Sequence, residues 1–271
     1  MIWDAYFCTI EDDAQDVAAE LSRLFYLADL KPISGRTYGY ERIAGWFHGD
    51  DELARMYHGG NGARCSIQSK GRASIDVAKR VRIIWPHHSV SRADVRQDYH
   101  YPGAWDEITG IALRIAQEHR LRITEVKGHG HGDTLYIGSR SSVSYVRIYQ
   151  KGKEMKGPDA DPDHVRLELE LKPGNARAKR LLAGMTPEEC FGASAWTRDL
   201  ALALTGIAPL EAKLGTVYDK PDLTRTRQWL VAQALNALQD WADELGGWQE
   251  LGREMNRQKT RQDRLKEVAE V

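Results

Sequence analysis

Strict alternation of polar and apolar side chains marks three short segments of the chain, residues 92–98, 147–151 and 166–172. A repeat of two residues is the period of a β-strand, so each segment is predicted to be a strand with one polar and one apolar face. If the three strands are neighbours, their carboxylates, cations and one tyrosine gather on one surface of a sheet. That surface is either an active site or an ordinary solvated sheet face, and both interpretations stay open on periodicity alone.

The rest of the sequence predicts a mixed α and β domain followed by helices. Further strands are predicted at residues 2–10, 121–127, 134–139, 144–150 and 165–172, with hairpin-joined strands between 38 and 69. Helices are predicted at residues 13–30, 75–84, 102–120, 176–183, 187–191 and 196–204. Only helical periodicity remains beyond Asp222. We therefore expect a domain over residues 1–215 and a helical region over residues 216–271, with no internal repeat visible in the sequence.

Composition favours a cytoplasmic protein and argues against a membrane-spanning one. Hydrophobic residues make up 42% of the 271 residues, which is enough for a core, but no apolar run approaches the roughly 20 residues that cross a bilayer. Residues 1–13 lack the basic region and long apolar stretch of a signal peptide. Cys8, Cys65 and Cys190 lie far apart, so we expect reduced thiols and no zinc or redox site.

The balance of charges hides two local cationic clusters. The net charge is only −1, whereas nucleic-acid-binding proteins usually carry a basic excess. The first cluster consists of Arg64, Lys70, Arg72, Lys79, Arg80, Arg82, Arg92 and Arg96, and the second of Arg140, Arg147, Lys151, Lys153 and Lys156. Each cluster is compatible with a phosphate-binding face, and each is equally compatible with solvated surface charge.

The side chains of the three alternating segments suit the chemistry of phosphodiester cleavage. A hard divalent cation held by carboxylate oxygens can polarise the phosphate, and the candidate ligands are Asp94, Asp98, Glu168 and Glu170. A tyrosine can serve as the nucleophile and form a covalent phosphotyrosine, and Tyr149 is the candidate. The cations Arg147 and Lys151 would favour its phenolate and bind the phosphate. The alternative is that Tyr149 is an ordinary strand tyrosine.

Four motifs in order along the chain resemble the trans-acting Rep family of rolling-circle replication initiators, which includes initiators of plasmids and filamentous phages and related relaxases. They are residues 91–98, with an Arg-x-Asp strand and a second Asp four residues on, residues 132–142, residues 145–152 around Arg-Ile-Tyr, and residues 165–169 with Arg-x-Glu-Leu. The resemblance is clearest over residues 88–205. Gln150 departs from it, since an acid or Asn is commoner there.

The resemblance implies an α+β fold with an antiparallel-sheet nuclease domain similar to that of the His-hydrophobe-His endonucleases. It implies an endonuclease that uses Mg²⁺ or Mn²⁺ and Tyr149 to nick one DNA strand, leaving a 5′-phosphotyrosine and a 3′-hydroxyl primer. The family acids correspond to Asp94 and Glu168. DNA contacts are assigned to Arg92, Arg96, Ser139, Arg140 and Arg166. The expected partners are a single-stranded or hairpin origin, a host helicase and a second copy of the chain, without a membrane.

Several alternatives remain at this point. A relaxase that starts conjugative transfer would use the same chemistry, and a DNA-binding regulator could keep the fold without catalysis. Tyr136 and Tyr145 are the fallback nucleophiles. His129 and His131 could bind a cation, but the glycines at 128, 130 and 132 favour a flexible hairpin loop instead.

The C-terminal region generates a prediction that separates DNA contact from simple packing. Trp229, Leu235 and Leu238 form an apolar stripe, and the polar end beyond it carries Arg253, Arg257, Lys259, Arg261, Arg264 and Lys266, diluted by Glu250, Glu254, Asp263, Glu267 and Glu270. If the polar end contacts DNA, deleting residues 256–271 weakens origin binding at moderate salt and flattens the salt dependence. An unchanged affinity and an unchanged salt slope would show that this end does not touch DNA.

Overall fold

Ten antiparallel strands form one sheet in the computed structural model, which describes residues 1–35, 38–60, 64–154, 160–215 and 223–269. The strands are β1 (Ile2–Glu11), β2 (Asp29–Pro32), β3 (Arg42–His48), β4 (Asp51–His58), β5 (Arg64–Lys70), β6 (Ser89–His100), β7 (Ile123–Val126), β8 (Thr134–Gly138), β9 (Ser144–Tyr149) and β10 (His164–Leu171). Their order is β2-β3-β4-β5-β1-β6-β10-β9-β8-β7. The predicted antiparallel α+β class is therefore confirmed.

Helices cover the apolar face of this sheet. They are α1 (Ala14–Leu24), α2 (Ala73–Ile84), α3 (Ala104–Glu118), the single turn α4 (Lys151–Glu154), α5 (Ala176–Gly184) and α6 (Ala195–Thr205), with a 3₁₀ turn at Glu189–Ala193. α2 packs on β1, α5 on β6 and α3 on β8. The core between helices and sheet includes Tyr6, Val95 and Leu169, all fully buried. The opposite face of the sheet is left to carry the polar side chains of the alternating strands.

The order of elements occurs twice along the chain. A strand, a helix, a four-stranded meander and a second helix follow one another as β1-α1-β2-β3-β4-β5-α2 and again as β6-α3-β7-β8-β9-β10-α5, with the single turn α4 inserted before β10. In the sheet, β1 lies beside β5, the last strand of the first meander, and β6 lies beside β10, the last strand of the second meander. The two five-stranded halves meet where β1 pairs with β6. This repeat is not visible in the sequence.

The sequence-based prediction of the first helix, at residues 13–30, is too long. α1 ends at Leu24, and residues 29–32 instead form the edge strand β2, paired with β3. The Phe25 backbone N–H bonds the Leu21 carbonyl oxygen, and Phe25 itself leaves the helical region, which closes the helix. The predicted helix at 187–191 is likewise a short 3₁₀ turn, Glu189–Ala193. The other predicted strands and helices are present with small shifts of their ends.

The chain separates into two compact units, Met1–Thr216 and Val217–Val271. The second unit contains α7 (Leu223–Leu245) and α8 (Trp248–Ala269), and the glycines at 246 and 247, both with positive φ, end α7. Arg253 and Arg257 pair within α8 with acids three residues earlier, Glu250 and Glu254. The structure does not place the side chains of Trp229, Arg261, Arg264 or Lys266, and Lys156 lies outside the described residues. The assignment of functions to residues 1–215 and 216–271 stays a prediction.

No helix among the described residues is both long enough and apolar enough to cross a membrane.

Candidate active site

The strand register brings the polar faces of the three alternating segments together. β10 pairs on one side with β6 and on the other with β9. Glu168 lies opposite Arg96 and Arg147, and Glu170 lies opposite Asp94 and Tyr145. Directly opposite side chains of an antiparallel pair project to the same face with their Cβ atoms about 5 Å apart. The predicted gathering of charge on one face therefore occurs, on the three adjacent strands β6, β10 and β9.

Tyr149 lies at the end of β9 with its hydroxyl against a carboxylate. The hydroxyl donates to Glu168 Oε1 at 2.7 Å, and the side chain is nearly buried. Burial, and then the negative charge of Glu168, raise the pKa of Tyr149 above its ordinary value. The phenol is therefore protonated at rest, and a proton acceptor already touches it.

Two cations flank the Tyr149 ring. The Arg147 guanidinium lies 4.6 Å from the ring centroid and also pairs with Glu168. Lys151 Nζ lies 5.7 Å from the same centroid and pairs with Glu154 at 2.6 Å. Glycine is required next to Lys151, because a Cβ at Gly152 would lie 1.6 Å from the Asp161 carbonyl oxygen. The Tyr-Gln-Lys-Gly sequence thus fits a tight turn that holds Lys151 beside the tyrosine.

A cavity of about 300 Å³ opens beside Arg147 and is lined by three of the four predicted metal ligands, Asp94, Glu168 and Glu170. Arg92 bridges two of them, with bonds of 2.8 and 2.6 Å to Asp94 and 2.7 Å to Glu170. Lys172 also pairs with Glu170. Burial raises the pKa of Asp94, the two bonds from Arg92 oppose this, and the charges of Glu170 and Glu168 add to the increase. The three carboxylates of the cavity are therefore offset by the four cationic side chains that also line it, Arg92, Arg140, Arg147 and Lys172.

The carboxylates of the cavity are oxygen donors of the kind that bind a hard cation, but they do not form a complete set of ligands around one point. Among the described residues, no group of three His, Cys, Asp or Glu side chains is arranged to hold a metal ion. Mg²⁺ commonly keeps several waters and needs only one or two protein carboxylates together with substrate phosphate. Asp94 and Glu170, with Glu168 beside them, supply oxygen donors of that kind.

Asp98, the fourth predicted ligand, lies outside this cavity. Its oxygens accept from Arg166 at 2.6 and 3.2 Å and from His164 at 2.9 Å. Burial raises the pKa of Asp98, but the bonds from Arg166 and His164 outweigh it and lower the pKa overall. Both oxygens are thus occupied by cationic or imidazole groups, and Asp98 holds Arg166 in place.

The predicted DNA contacts divide into residues held in ion pairs within the sheet and residues in an exposed turn. Arg96 donates to Asp4 at 2.9 Å and Arg166 is bound to Asp98, so both belong to an internal ion-pair network. Asp4 was not found from the sequence, since it lies within the apolar-aromatic run of β1. Arg140 is exposed at the turn after β8, and the Ser139 hydroxyl bonds that of Ser141 at 2.8 Å in the same turn.

The histidine alternative is not supported by position. His129 and His131 are exposed in the turn between β7 and β8. Neither lines the cavity that contains Asp94, Glu168 and Glu170.

The raised pKa of Asp94 predicts a gain of stability when its charge is removed. Because folding raises the pKa of Asp94, the folded state favours its neutral carboxyl over its carboxylate. The contribution of Asp94 to stability is therefore fully present below its unfolded-state pKa of about 3.9 and is lost as the pH rises through the folded-state pKa. Without divalent metal at pH 7.5, Asp94→Asn should therefore melt about 2–4 °C above the wild type, the shift that roughly 1 kcal/mol causes in a domain of this size. Scanning calorimetry should show the gain shrinking as the pH falls towards 4.

The matched control is Asp50→Asn, a carboxylate exposed in the turn between β3 and β4. It should show no gain that depends on pH. An Asp94→Asn protein that melts below the wild type at pH 7.5 would mean that the Arg92–Asp94 pair outweighs the cost of burying the charge.

Comparisons with known proteins agree with the motifs read from the sequence. Residues 105–199 match the model of a family described as replication initiation factor. A rolling circle replication initiator protein from Geobacillus stearothermophilus has a similar structure, with a TM-score of 0.51 and 15% sequence identity over 79% of this chain and 98% of that one. A search of curated proteins gave no match. The family match and the shared fold together confirm the resemblance of this chain to the trans-acting Rep family of replication initiation factors.

Proposed function

We propose that this protein initiates rolling-circle replication by nicking one strand of a DNA origin with Tyr149. The observation that carries the proposal is the hydrogen bond from the Tyr149 hydroxyl to Glu168 beside a cavity rich in arginine and lysine. The match to replication initiation factors and the fold shared with a rolling circle initiator support the biological role.

The proposed reaction is a phosphoryl transfer to the tyrosine. Tyr149 Oη attacks the phosphorus of the scissile phosphodiester and passes its proton to Glu168 Oε1, which lies 2.7 Å away. The bond from phosphorus to the 3′ oxygen breaks, and that oxygen takes up a proton from water to become a 3′-hydroxyl. The 5′ phosphate stays on Tyr149 as a phosphotyrosine diester, and the reverse reaction rejoins the strand.

Tyr149 is better placed for this role than Tyr136 or Tyr145. In the described part of the chain, it is the one of the three whose hydroxyl bonds a carboxylate. The high pKa of Tyr149 is not an obstacle in itself, since the proton is transferred as attack proceeds rather than lost beforehand.

The cations beside Tyr149 are assigned to the phosphate. Arg147 is half-buried, and its guanidinium contacts both Glu168 and the Tyr149 ring. Once Glu168 takes the proton and loses its charge, Arg147 can turn its donors to the phosphate oxygens. Lys151 is the second candidate. Arg96 and Arg166 are then positioning residues, because their guanidinium groups pair with Asp4 and Asp98.

Asp94 and Glu170 are the carboxylates that we assign to Mg²⁺ or Mn²⁺. Glu168 Oε1 is occupied by Tyr149, whereas Asp94 and Glu170 share Arg92 and can turn away from it. A bound divalent cation supplies Lewis-acid activation of the scissile phosphate. A single-stranded or hairpin origin is the proposed substrate, and a host helicase and a second copy of the chain stay predictions.

The nucleophile assignment predicts that Tyr149→Phe stops nicking and leaves DNA binding in place. Only the attacking oxygen is removed, so cleavage and the covalent adduct should fall by about 10³-fold or more. The assay measures relaxation of a supercoiled plasmid that carries the protein's own replicon, with the adduct detected on denaturing gels. Tyr26→Phe, at an exposed tyrosine after α1, is the matched control. Wild-type cutting by Tyr149→Phe would move the role to Tyr136 or Tyr145.

The metal assignment predicts that Glu170→Gln and Asp94→Asn each lose activity that excess Mn²⁺ restores only in part. An amide keeps the shape of the carboxylate but removes the charge that attracts the cation. The measurement is the nicking rate over a titration of Mg²⁺ and of Mn²⁺, with the exposed Glu118→Gln as the control. If both variants cut normally at low Mg²⁺, the ligands lie elsewhere, and His129 and His131 become the next candidates.

A further inference from the structure

We infer that Tyr136 and Tyr145 form a stacking site for a nucleobase of single-stranded DNA beside the proposed nicking tyrosine. The inference rests on the proposed function and deepens it, since it names the part of the strand that is held next to the cut. It also gives these two tyrosines a role other than that of nucleophile.

The two rings form a flat apolar surface. Tyr136 on β8 and Tyr145 on β9 have ring centroids 5.8 Å apart and ring planes inclined by 13°. Both side chains are half-buried. Nearly parallel aromatic rings held by adjacent strands offer a stacking surface that needs little ordering when a base arrives.

A cation lies beside both rings. The Arg140 guanidinium is 5.9 Å from the Tyr136 ring centroid and 6.0 Å from that of Tyr145. Because Arg140 is exposed, its remaining donors can reach a phosphate of the same nucleotide. An aromatic surface combined with a cation is the arrangement by which proteins hold single-stranded nucleic acid without reading its sequence.

The position of the rings links them to the proposed chemistry. Tyr136 lies opposite Arg147 in the sheet, and Tyr145 lies opposite Glu170. Both rings line the cavity that contains Asp94 and Glu168. Tyr145 precedes Tyr149 by four residues of β9, which is about 13 Å along the β-strand. A DNA strand whose phosphate reaches Tyr149 therefore passes close to both rings.

The same rings also line a second cavity, of about 540 Å³, on the side of β7. Its other walls come from Thr124 and Val126 of β7 and from the turn at Ser139 and Ser141. The tyrosines thus separate an ionic cavity suited to a phosphate from a flatter one suited to a base. Only an unpaired base can leave its own stack to enter this space, so the site favours melted DNA over duplex.

The test compares two fluorescent probes of equal charge, a twelve-residue oligothymidylate and a twelve-unit abasic deoxyribose-phosphate strand. The wild type should bind the oligothymidylate more tightly, measured by fluorescence anisotropy at low salt. Tyr145→Leu should reduce that preference by roughly 5- to 100-fold, the range of one base stacked on an aromatic ring. Its affinity for the abasic strand and its salt slope should stay those of the wild type, because the phosphate contacts remain.

Two variants make the comparison specific. Tyr145→Phe keeps the ring and should keep the preference for bases, and Tyr26→Leu removes an exposed tyrosine outside the site and should also keep it. Should Tyr145→Leu fail to fold by circular dichroism, Tyr136→Leu replaces it with the same expected loss.

The outcomes separate this inference from the proposed function. A preference for bases that survives Tyr145→Leu and Tyr136→Leu overturns the stacking site while leaving the nicking proposal untouched. A wild type that binds neither probe overturns the site together with the proposed DNA substrate. Nicking by Tyr149 is measured independently on the replicon plasmid, so its failure does not depend on either probe.

Discussion

The register between β10 and its two neighbours brings the carboxylates of the candidate site together with Tyr149 and Arg147. A slip of one residue would turn Glu168 and Glu170 into the core and the alternate leucines to the surface. Leu167, Leu169 and Leu171 are fully buried, and burying each one contributes about 1.5–3 kcal/mol relative to exposure. The apolar face therefore holds the alignment that the polar face uses, and the carboxylates are brought together by packing energy that their own mutual repulsion opposes.

Two ionic clusters with different characters lie side by side on this sheet. Asp98 is held by Arg166 and His164, and its pKa is lowered, so its charge is stable where it is. Asp94 is buried with a raised pKa, so its charge is costly despite Arg92. The first cluster fixes side-chain positions. The cluster around Asp94 retains an unfavourable charge beside the cavity. This is the electrostatic condition that favours binding of a cation, or the exchange of Arg92 for another partner when a substrate binds.

The sequence predicted the site where alternation was strict and failed where it was broken. The strands that carry Asp94, Glu168 and Tyr149 were found because each has one buried and one polar face. β2 was missed because all its residues are exposed, and Asp4 was missed because it lies within the apolar-aromatic run of β1. Strand parity placed Asp98 on the correct face. Its distance from the cavity depends on the pairing of strands far apart in the chain, which no local pattern contains.

The place of Tyr149 within the sheet limits what can move during any reaction at its oxygen. β9 is paired on both sides, with β8 and β10, and the ring is nearly buried between its neighbours. A residue on a helix or a loop could move towards a substrate, but the proposed nucleophile is fixed to a paired strand whose displacement would break ladder hydrogen bonds. In the proposed reaction, the substrate must therefore bring its phosphorus to the tyrosine. Selectivity among sites on the substrate then depends on how easily each site deforms. Only a site that unwinds and bends easily reaches the fixed oxygen.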